Sequence, residues 1–309
     1  MISIITSTRN SFSQKKGSIE LMLNSLKKQI DVEDYELIVV ENNSEDRSVN
    51  FLQDFSNPAP FKRMKIIRND IDVSNRSRSR NIACQEASGD FFLFIDDDVV
   101  LPDKYTLRKI QQLAEQGSFG TGAARYWTYI NWEREVLLKQ IERERLTKES
   151  PYYFLPCGIK RETGYRDLFE YSFVGNFGLV DRDSFLSLGG FDESTFDGWG
   201  REDVDLMLRL YLNKTRFHLL FDEVWIIHLN HPLSESDARQ RSNSFEKYKK
   251  RESELGVVFK VNHLYGVFEN DGTAILEPLN PSVTCQAGVP PSISSRRRPP
   301  GPSFRSPTS

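Results

Sequence analysis

The sequence predicts an α/β fold with a mixed, mainly parallel central sheet flanked by helices. Two observations predict it: short apolar runs alternate with segments of helical periodicity from Ile2 to Ile95, and each run ends in a polar, turn-rich loop. Such alternation places helices on both faces of a parallel sheet, and ligands of these sheets sit beyond the carboxyl ends of the strands. The polar loops at Thr6, Glu41 and Asp96 are therefore expected on one rim.

Ile2 to Thr6 reads as a buried strand that ends in the loop Ser7-Thr8-Arg9-Asn10. Ile19, Met22, Leu23, Leu26 and Ile30 recur at helical spacing, with Ser18 placed to cap their helix. The run Glu36 to Val40 is a second strand, stopped by Glu41-Asn42-Asn43-Ser44-Glu45-Asp46, which can also cap a helix carrying Val49, Leu52 and Phe55. Strand Lys65 to Arg68, a helix beginning near Ser74, a Ser88-Gly89 stop and strand Phe91 to Ile95 follow. Next come a helix from Asp103 to Gln116, a strand Phe119 to Tyr126, a charged helix Asn131 to Leu146, and a long loop, Pro151 to Tyr165, expected over the site. Phe173 to Val180 is a strand, Arg182 to Leu188 a short helix ended by Gly189-Gly190, and Val204 to Tyr211 a helix with acids in its first turn. Strands Phe217 to Phe221 and Val224 to His228 and a surface helix Ser234 to Leu255 complete the folded part. Residues 281 to 309 hold half of the chain's 14 prolines, many serines and an arginine run, so 271–309 is expected to be an unfolded tail.

A chain of 309 residues, 38% hydrophobic, can bury a full core. Its 41 basic and 44 acidic residues are well mixed and create no field that would imply a nucleic-acid partner. Three widely separated cysteines suit a reducing, cytoplasmic setting better than a disulfide framework. No segment approaches the roughly 18 apolar residues of a membrane span, so work at a membrane would be peripheral.

Asp96-Asp97-Asp98 delivers three carboxylates from a buried strand to the rim. Such crowding calls for a cation, and hard oxygen ligands suit Mg²⁺ or Mn²⁺ shared with substrate phosphates. The plainer reading is a capped turn. Arg76 and Arg80 share a helix face and match phosphate oxygens, whereas Arg78 points elsewhere and suits a solvated surface.

With these pieces in order, Ile4-Ile5-Thr6-Ser7-Thr8-Arg9-Asn10, Val39-Val40-Glu41-Asn42-Asn43-Ser44, Ser79-Arg80-Asn81 and Phe94-Ile95-Asp96-Asp97-Asp98, the chain resembles the family-2-type glycosyltransferases of the GT-A (Rossmann-like) fold over about residues 1 to 232. The resemblance implies a nucleoside wall of Thr6, Thr8 and Arg9 with the loop of Glu41 and Asn42, Asp96 near the ribose, and a metal on Asp98. From their own chemistry Arg76, Arg80, Asp96 and Asp97 are assigned to the donor, and Asp96 also to the metal. Glu41-Asn42 stands where the family often has two aspartates.

A second constellation runs from Gly189-Gly190-Phe191-Asp192-Glu193 to Asp197-Gly198-Trp199-Gly200-Arg201-Glu202-Asp203-Val204-Asp205. An indole among glycines offers a flat face on which sugars stack. The acids sit at a helix N-terminus, where the dipole favours an ionised carboxylate able to take a proton. Read plainly, these are helix-start acids beside a core tryptophan. The segment is similar to Trp-Gly-x-Glu-Asp of inverting galactosyl-, N-acetylgalactosaminyl- and chondroitin-type transferases. That similarity implies Asp203 as general base, Glu202 on sugar hydroxyls, and Trp199, Gly200 and Arg201 at the acceptor. Arg201 stands where a second glycine is common. Related transferases supply a late histidine to the metal, with His228 the first choice here and His231 the alternative.

The implied protein is one domain over 1–270, with a nucleotide-binding half (1–100), an acceptor and catalytic half (101–232) and a C-terminal helix and extension (233–270). It would be a metal-dependent inverting transferase moving a hexose or N-acetylhexosamine from a UDP-sugar to a glycan or lipid-linked glycan. The alternatives are a retaining enzyme of the same fold, a phosphohydrolase with an aspartate nucleophile among Asp96 to Asp98, and a silent sugar-binding module.

Overall fold

A computed structural model of the protein describes residues 1–55, 61–70, 75–115, 125–129, 132–144, 146, 153–154, 175–213, 215, 224–232, 235–255, 257–260 and 275–278. In chain order the N-terminal elements are β1 (Ile2–Thr8), α1 (Ser11–Gln14), α2 (Ser18–Lys27), β2 (Tyr35–Glu41), α3 (Ser48–Asp54), β3 (Arg63–Arg68), α4 (Arg76–Glu86), β4 (Phe91–Ile95), β5 (Val99–Val100) and α5 (Thr106–Glu115). There follow β6 (Arg125–Tyr129), α6 (Arg134–Glu142), β7 (Tyr153–Phe154), β8 (Phe177–Asp181), α7 (Arg182–Ser187), α8 (Glu202–Leu212), β9 (Trp225–Leu229), α9 (Glu235–Glu254), β10 (Val257–Lys260) and β11 (Ile275–Pro278).

The central sheet has the order β3-β2-β1-β4-β8. The first four strands are parallel and β8 runs antiparallel to β4, which gives the mixed, mainly parallel sheet. Successive side chains of a strand alternate between faces, so each strand feeds two cores. Ile4, Leu37, Val39, Leu93 and Ile95 pack with Ile19, Met22, Leu23 and Leu26 of α2 and Leu107 and Ile110 of α5. Ile5, Ile38, Val40, Phe92 and Phe94 pack on the other face with Ala83 and Cys84 of α4, Phe185, Phe191 and Leu206, Met207 and Leu210 of α8. Each fully buried Val, Leu, Ile, Phe or Met side chain among these contributes about 1.5–3 kcal/mol relative to exposure.

A second sheet, β5-β9-β6-β7, covers Leu21, Val100, Trp132, Leu137, Ile141, Ile227 and Leu229. Two-residue β5 pairs with β9 through Val99 opposite His228, directly after the three aspartates. This pairing aims the aspartate loop at the end of β9.

Several expected boundaries shift for local reasons. β1 continues to Thr8 because its ladder with β2 runs to the Thr8–Glu41 pair. The start of α2 is capped from a distance: the Ile19 N–H donates to Ser11 Oγ at 3.0 Å, and Ser18 is its first helical residue instead of its cap. Asn75 caps α4 by accepting the Arg78 N–H, so that helix starts after Ser74. In the supposed loop 151–165, Tyr153 and Phe154 pair with β6. Within 271–309, expected to be unfolded, Ile275–Pro278 forms an antiparallel ladder with Val257–Lys260. The main-chain pairing there builds on Ala274-Ile275-Leu276, a short apolar run inside a segment whose average composition hides it. The expected strand Phe217 to Phe221, most of 119–126 and of 151–165, and the remainder of the tail lie outside the described residues. Among the described residues no helix is long and apolar enough to cross a membrane.

Candidate active site

Because β1, β2 and β4 run in parallel, their carboxyl ends and the loops that follow come to one rim. The Asn42 N–H and its side-chain Nδ2 donate to the Thr8 carbonyl at 2.9 and 3.2 Å, and Thr8 Oγ1 donates to Asp97 at 2.7 Å. Asn42 Oδ1 in turn accepts from Asn69 and from Ser79 of α4 at 2.8 and 2.7 Å. Thr6 and Glu41 are buried at this rim, and Thr6 Oγ1 and Glu41 Oε2 have no hydrogen-bond partner among the described residues. Buried polar atoms are nearly always paired, so two orphans here mark a place where a ligand can bond. Arg9 follows Thr8 and is half-buried.

The three aspartates part company. Asp96 turns to α4, where Arg80 donates to it at 2.9 Å and Arg76 stands 3.5 Å away. Asp97 and Asp98 are buried around Lys15, whose Nζ lies 2.5 Å from one and 3.0 Å from the other. Burial works against the charge of Lys15, but the two carboxylates outweigh it and raise its pKa. Burial and the neighbouring Asp98 push Asp97 up despite Lys15, while Asp98, equally buried, is held well below the usual range by Lys15, His228 and His231.

At Asp98 the end of β9 closes in. His231 Nε2 is 3.2 Å from Asp98 Oδ2, and His228 Nε2 is 3.7 Å from Oδ1. The three side chains can offer ligand atoms within 4.8 Å of one another. Asp98 Oδ1 is buried without a hydrogen-bond partner among the described residues. His231 Nδ1 sits 3.1 Å from the Pro232 carbonyl, and a proton donated there leaves Nε2 a lone pair for a cation. A carboxylate with two imidazoles suits Mn²⁺ better than Mg²⁺, which prefers an oxygen shell. The residues fit a divalent ion. Both histidines, and not one of them, come to Asp98, whereas the oxygens of Asp96 face arginines.

The second acidic cluster reaches the same place from α8. Arg80, 3% exposed, donates to Glu202 at 3.0 Å as well as to Asp96, and also to the Gly175 carbonyl at 3.0 Å. Burial opposes its charge, but Asp96, Glu202 and Asp203 together raise its pKa. Glu202 is itself pushed up by burial and by Asp203 against the pull of Arg80. The N–H groups of Gly175 and Val204 donate to opposite oxygens of Asp203 at 3.1 and 2.9 Å, and the Gly200 N–H donates to Glu202 at 3.0 Å. The Arg76 guanidinium lies 5.4 Å over the Trp199 ring. Arg78 is exposed. Arg201 is held beside α9.

Two residues here were not singled out in the sequence. Lys15 precedes Lys16-Gly17 in the turn between α1 and α2, which suggests a rim cation without saying which lysine: Lys16 turns away to the Trp132 carbonyl. Gly175 carries no signal of its own, yet a Cβ there would lie 2.7 Å from Arg80 Nη1.

The family model "Glycosyl transferase family 2" matches residues 3–185, and "N-terminal domain of galactosyltransferase" matches residues 161–231. The uncharacterized glycosyltransferase YfnE of Bacillus subtilis is 28% identical over 249 residues, 68% of this chain and 61% of that protein, so the chain spans less than two thirds of this relative. Residues 1–349 of S. aureus TarS in complex with UDP-GlcNAc superpose with a TM-score of 0.55 at 18% identity, covering 82% of this chain and 72% of that one. The mannosyltransferase PcManGT of Pyrobaculum calidifontis, in complex with GDP-Man and Mn²⁺, gives 0.54 at 14% identity, covering 82% and 63%. At such identities the structures share the fold.

Proposed function

This chain belongs to glycosyl transferase family 2, and from that premise we propose that it moves a hexose or N-acetylhexosamine from a UDP-sugar to a hydroxyl of a glycan or lipid-linked glycan, with inversion at the anomeric carbon. The observation that carries this reading is the Arg80 guanidinium, which bonds Asp96 on the nucleotide side and Glu202, next to Asp203, on the other. A donor gripped at one end of this bridge has its anomeric carbon near the acids at the other.

In this reading Asp203 takes the proton of the acceptor hydroxyl, whose oxygen forms the new bond to the anomeric carbon. The bond from that carbon to the β-phosphate oxygen breaks, and its electron pair leaves with the nucleoside diphosphate. The two main-chain donors fix the Asp203 carboxylate so that it meets the hydroxyl in one orientation. Glu202 holds Arg80 in place and borders the sugar hydroxyls, and Trp199 with Gly200 forms the acceptor wall, while the Arg201 side chain, expected at the acceptor, turns instead to α9. Thr6, Thr8, Arg9, Glu41 and Asn42 line the nucleoside, and Asp96, Arg76 and Asp97 the ribose and phosphates. Asp98, His228 and His231 would hold Mn²⁺ or Mg²⁺, which when bound neutralises charge on the diphosphate. In this reading residues 1–100 serve the nucleotide, and 101–232 serve the acceptor and lend His228 and His231 to the metal.

A UDP donor is supported by the neighbour that binds UDP-GlcNAc, and a metal by the neighbour that binds Mn²⁺. The test is a panel of UDP- and GDP-sugars with Mn²⁺, scoring diphosphate release and the product anomer by NMR. Asp203→Asn should lower kcat by about 10² to 10⁴ while UDP binding persists. A variant that turns over near the original rate would remove Asp203 from the role of base.

A further inference from the structure

Helix α9 lies beyond both matched regions, which end at residues 185 and 231. It is nevertheless fastened along the segment that delivers Glu202 and Asp203. Ser244 Oγ donates to the Trp199 carbonyl at 3.1 Å, Lys247 reaches Asp197 at 2.6 Å, and Arg251 bonds Asp192 and lies 3.2 Å from Asp205. Positions 244, 247 and 251 are three and four apart and share one helix face. Gln240 of α9 also reaches this segment: a Cβ on Gly198 would sit 2.9 Å from its side-chain oxygen.

Arg201 is the unusual member of this interface. Its φ of 67° lies in the left-handed region, which disfavours any residue with a Cβ and which glycine adopts freely. A position that served only as a turn would gain from glycine. What arginine adds is its side chain: the guanidinium stacks over the rings of Phe245 at 5.3 Å and Tyr248 at 5.9 Å, and Tyr248 is buried in the core. The Arg201 carbonyl meanwhile accepts the Asp205 N–H at 2.9 Å and opens α8. One residue holds the start of the catalytic helix with its backbone and α9 with its side chain.

We propose that α9 is a working part of the active site and that Arg201 is the positioning residue that couples it to Glu202 and Asp203. This rests on the reading of Asp203 as base. The clasp keeps the 197–203 segment in the single conformation that points Asp203 at the acceptor, and its loss should leave nucleotide binding on the far side of Arg80 intact.

The test compares Arg201→Gly and Phe245→Ala in the full chain by hydrogen–deuterium exchange, UDP affinity with Mn²⁺, and the rate of UDP release from the donor that the wild type uses. Phe245 is 41% exposed, so its truncation spares the core. Phe245→Ala should speed exchange in 197–205 and 235–254 by about two- to fivefold, the worth of one partly exposed cation–π contact. Arg201→Gly loses both ring contacts but relieves the left-handed backbone, so its faster exchange should show in 235–254. Both should lower kcat with UDP affinity unchanged. The double variant should be little worse than Arg201→Gly, because both remove one clasp. Unchanged exchange in Phe245→Ala, where no backbone relief offsets the lost contact, or a loosened α9 with kcat intact, would overturn the proposal. Exchange reports on the clasp whatever group acts as base, so a failure of Asp203 in that role is seen separately, in Asp203→Asn.

Discussion

Lys15 places an ammonium between two carboxylates that are each 2% exposed. Replacing it with methionine would leave Asp97 and Asp98 buried side by side with their main counter-charge gone, a loss of about 3–5 kcal/mol for a broken buried pair. At roughly 2–4 °C per kcal/mol for a domain of this size, Lys15→Met should melt at least 6 °C or so below wild type in EDTA. Mn²⁺ should restore part of the difference, since a cation on Asp98 relieves the same repulsion; equal melting of the two proteins in EDTA would refute this. Gly175 is the second test at this scale. An added Cβ must displace the Arg80 guanidinium, which is buried and bonded to Asp96, Glu202 and Gly175 itself, so it has nowhere near to go. Gly175→Ala should reduce kcat on the order of 10², the effect of a roughly 1 Å misplacement in a site. Steady-state kinetics decide it, and an unaltered kcat would mean Arg80 need not be held there. The aspartates and the Glu202-Asp203 pair were legible because acids at a strand end or a helix start are chemically conspicuous. Lys15 and Gly175 were not, because their roles are set by partners more than eighty and ninety residues away.

Among elements, β1, β2, β4, β8, α4 and α8 were legible because each has its own apolar period or cap, with errors confined to ends that depend on neighbours, as when Ser11 caps α2. The two-residue β5 was invisible because pairing with β9 alone makes it a strand. Helix α9 was foreseen as a surface helix, and its docking was hidden because its contacts are mostly polar. That docking should respond to acid. Burial opposes ionisation of Asp192, but hydrogen bonds from Ser194 and Thr195 and the charge of Arg251 outweigh it and depress its pKa. A depressed carboxyl contributes its stabilisation in full above the ordinary aspartate value, about 3.9, and loses it as pH falls through the folded-state value. Stability measured by urea unfolding should therefore fall from pH 5 to pH 2.5 more steeply in wild type than in Asp192→Asn. Parallel curves would mean that the Asp192–Arg251 pair does not contribute.

At the scale of the whole molecule the site is assembled from distant parts: the end of β1 and Lys15, the end of β2, the loop after β4, Gly175, the start of α8 and the end of β9. The alternation of strands and helices made the rim legible, but nothing in the chain stated that a single arginine would join its two acidic clusters. That convergence has a thermodynamic consequence. A nucleotide with a divalent ion would touch residues from both ends of this list and could bind only when they are folded together, so its binding free energy adds to the stability of the folded chain. At a concentration about 100 times its Kd, UDP with Mn²⁺ should contribute about 2.7 kcal/mol, or roughly 5–10 °C in Tm at 2–4 °C per kcal/mol. EDTA should abolish most of the shift if Asp98, His228 and His231 hold the ion, and replacing both histidines with alanine should do the same in the presence of Mn²⁺. A shift by UDP that is indifferent to EDTA and to these histidines would leave the nucleotide site standing and remove the metal from it.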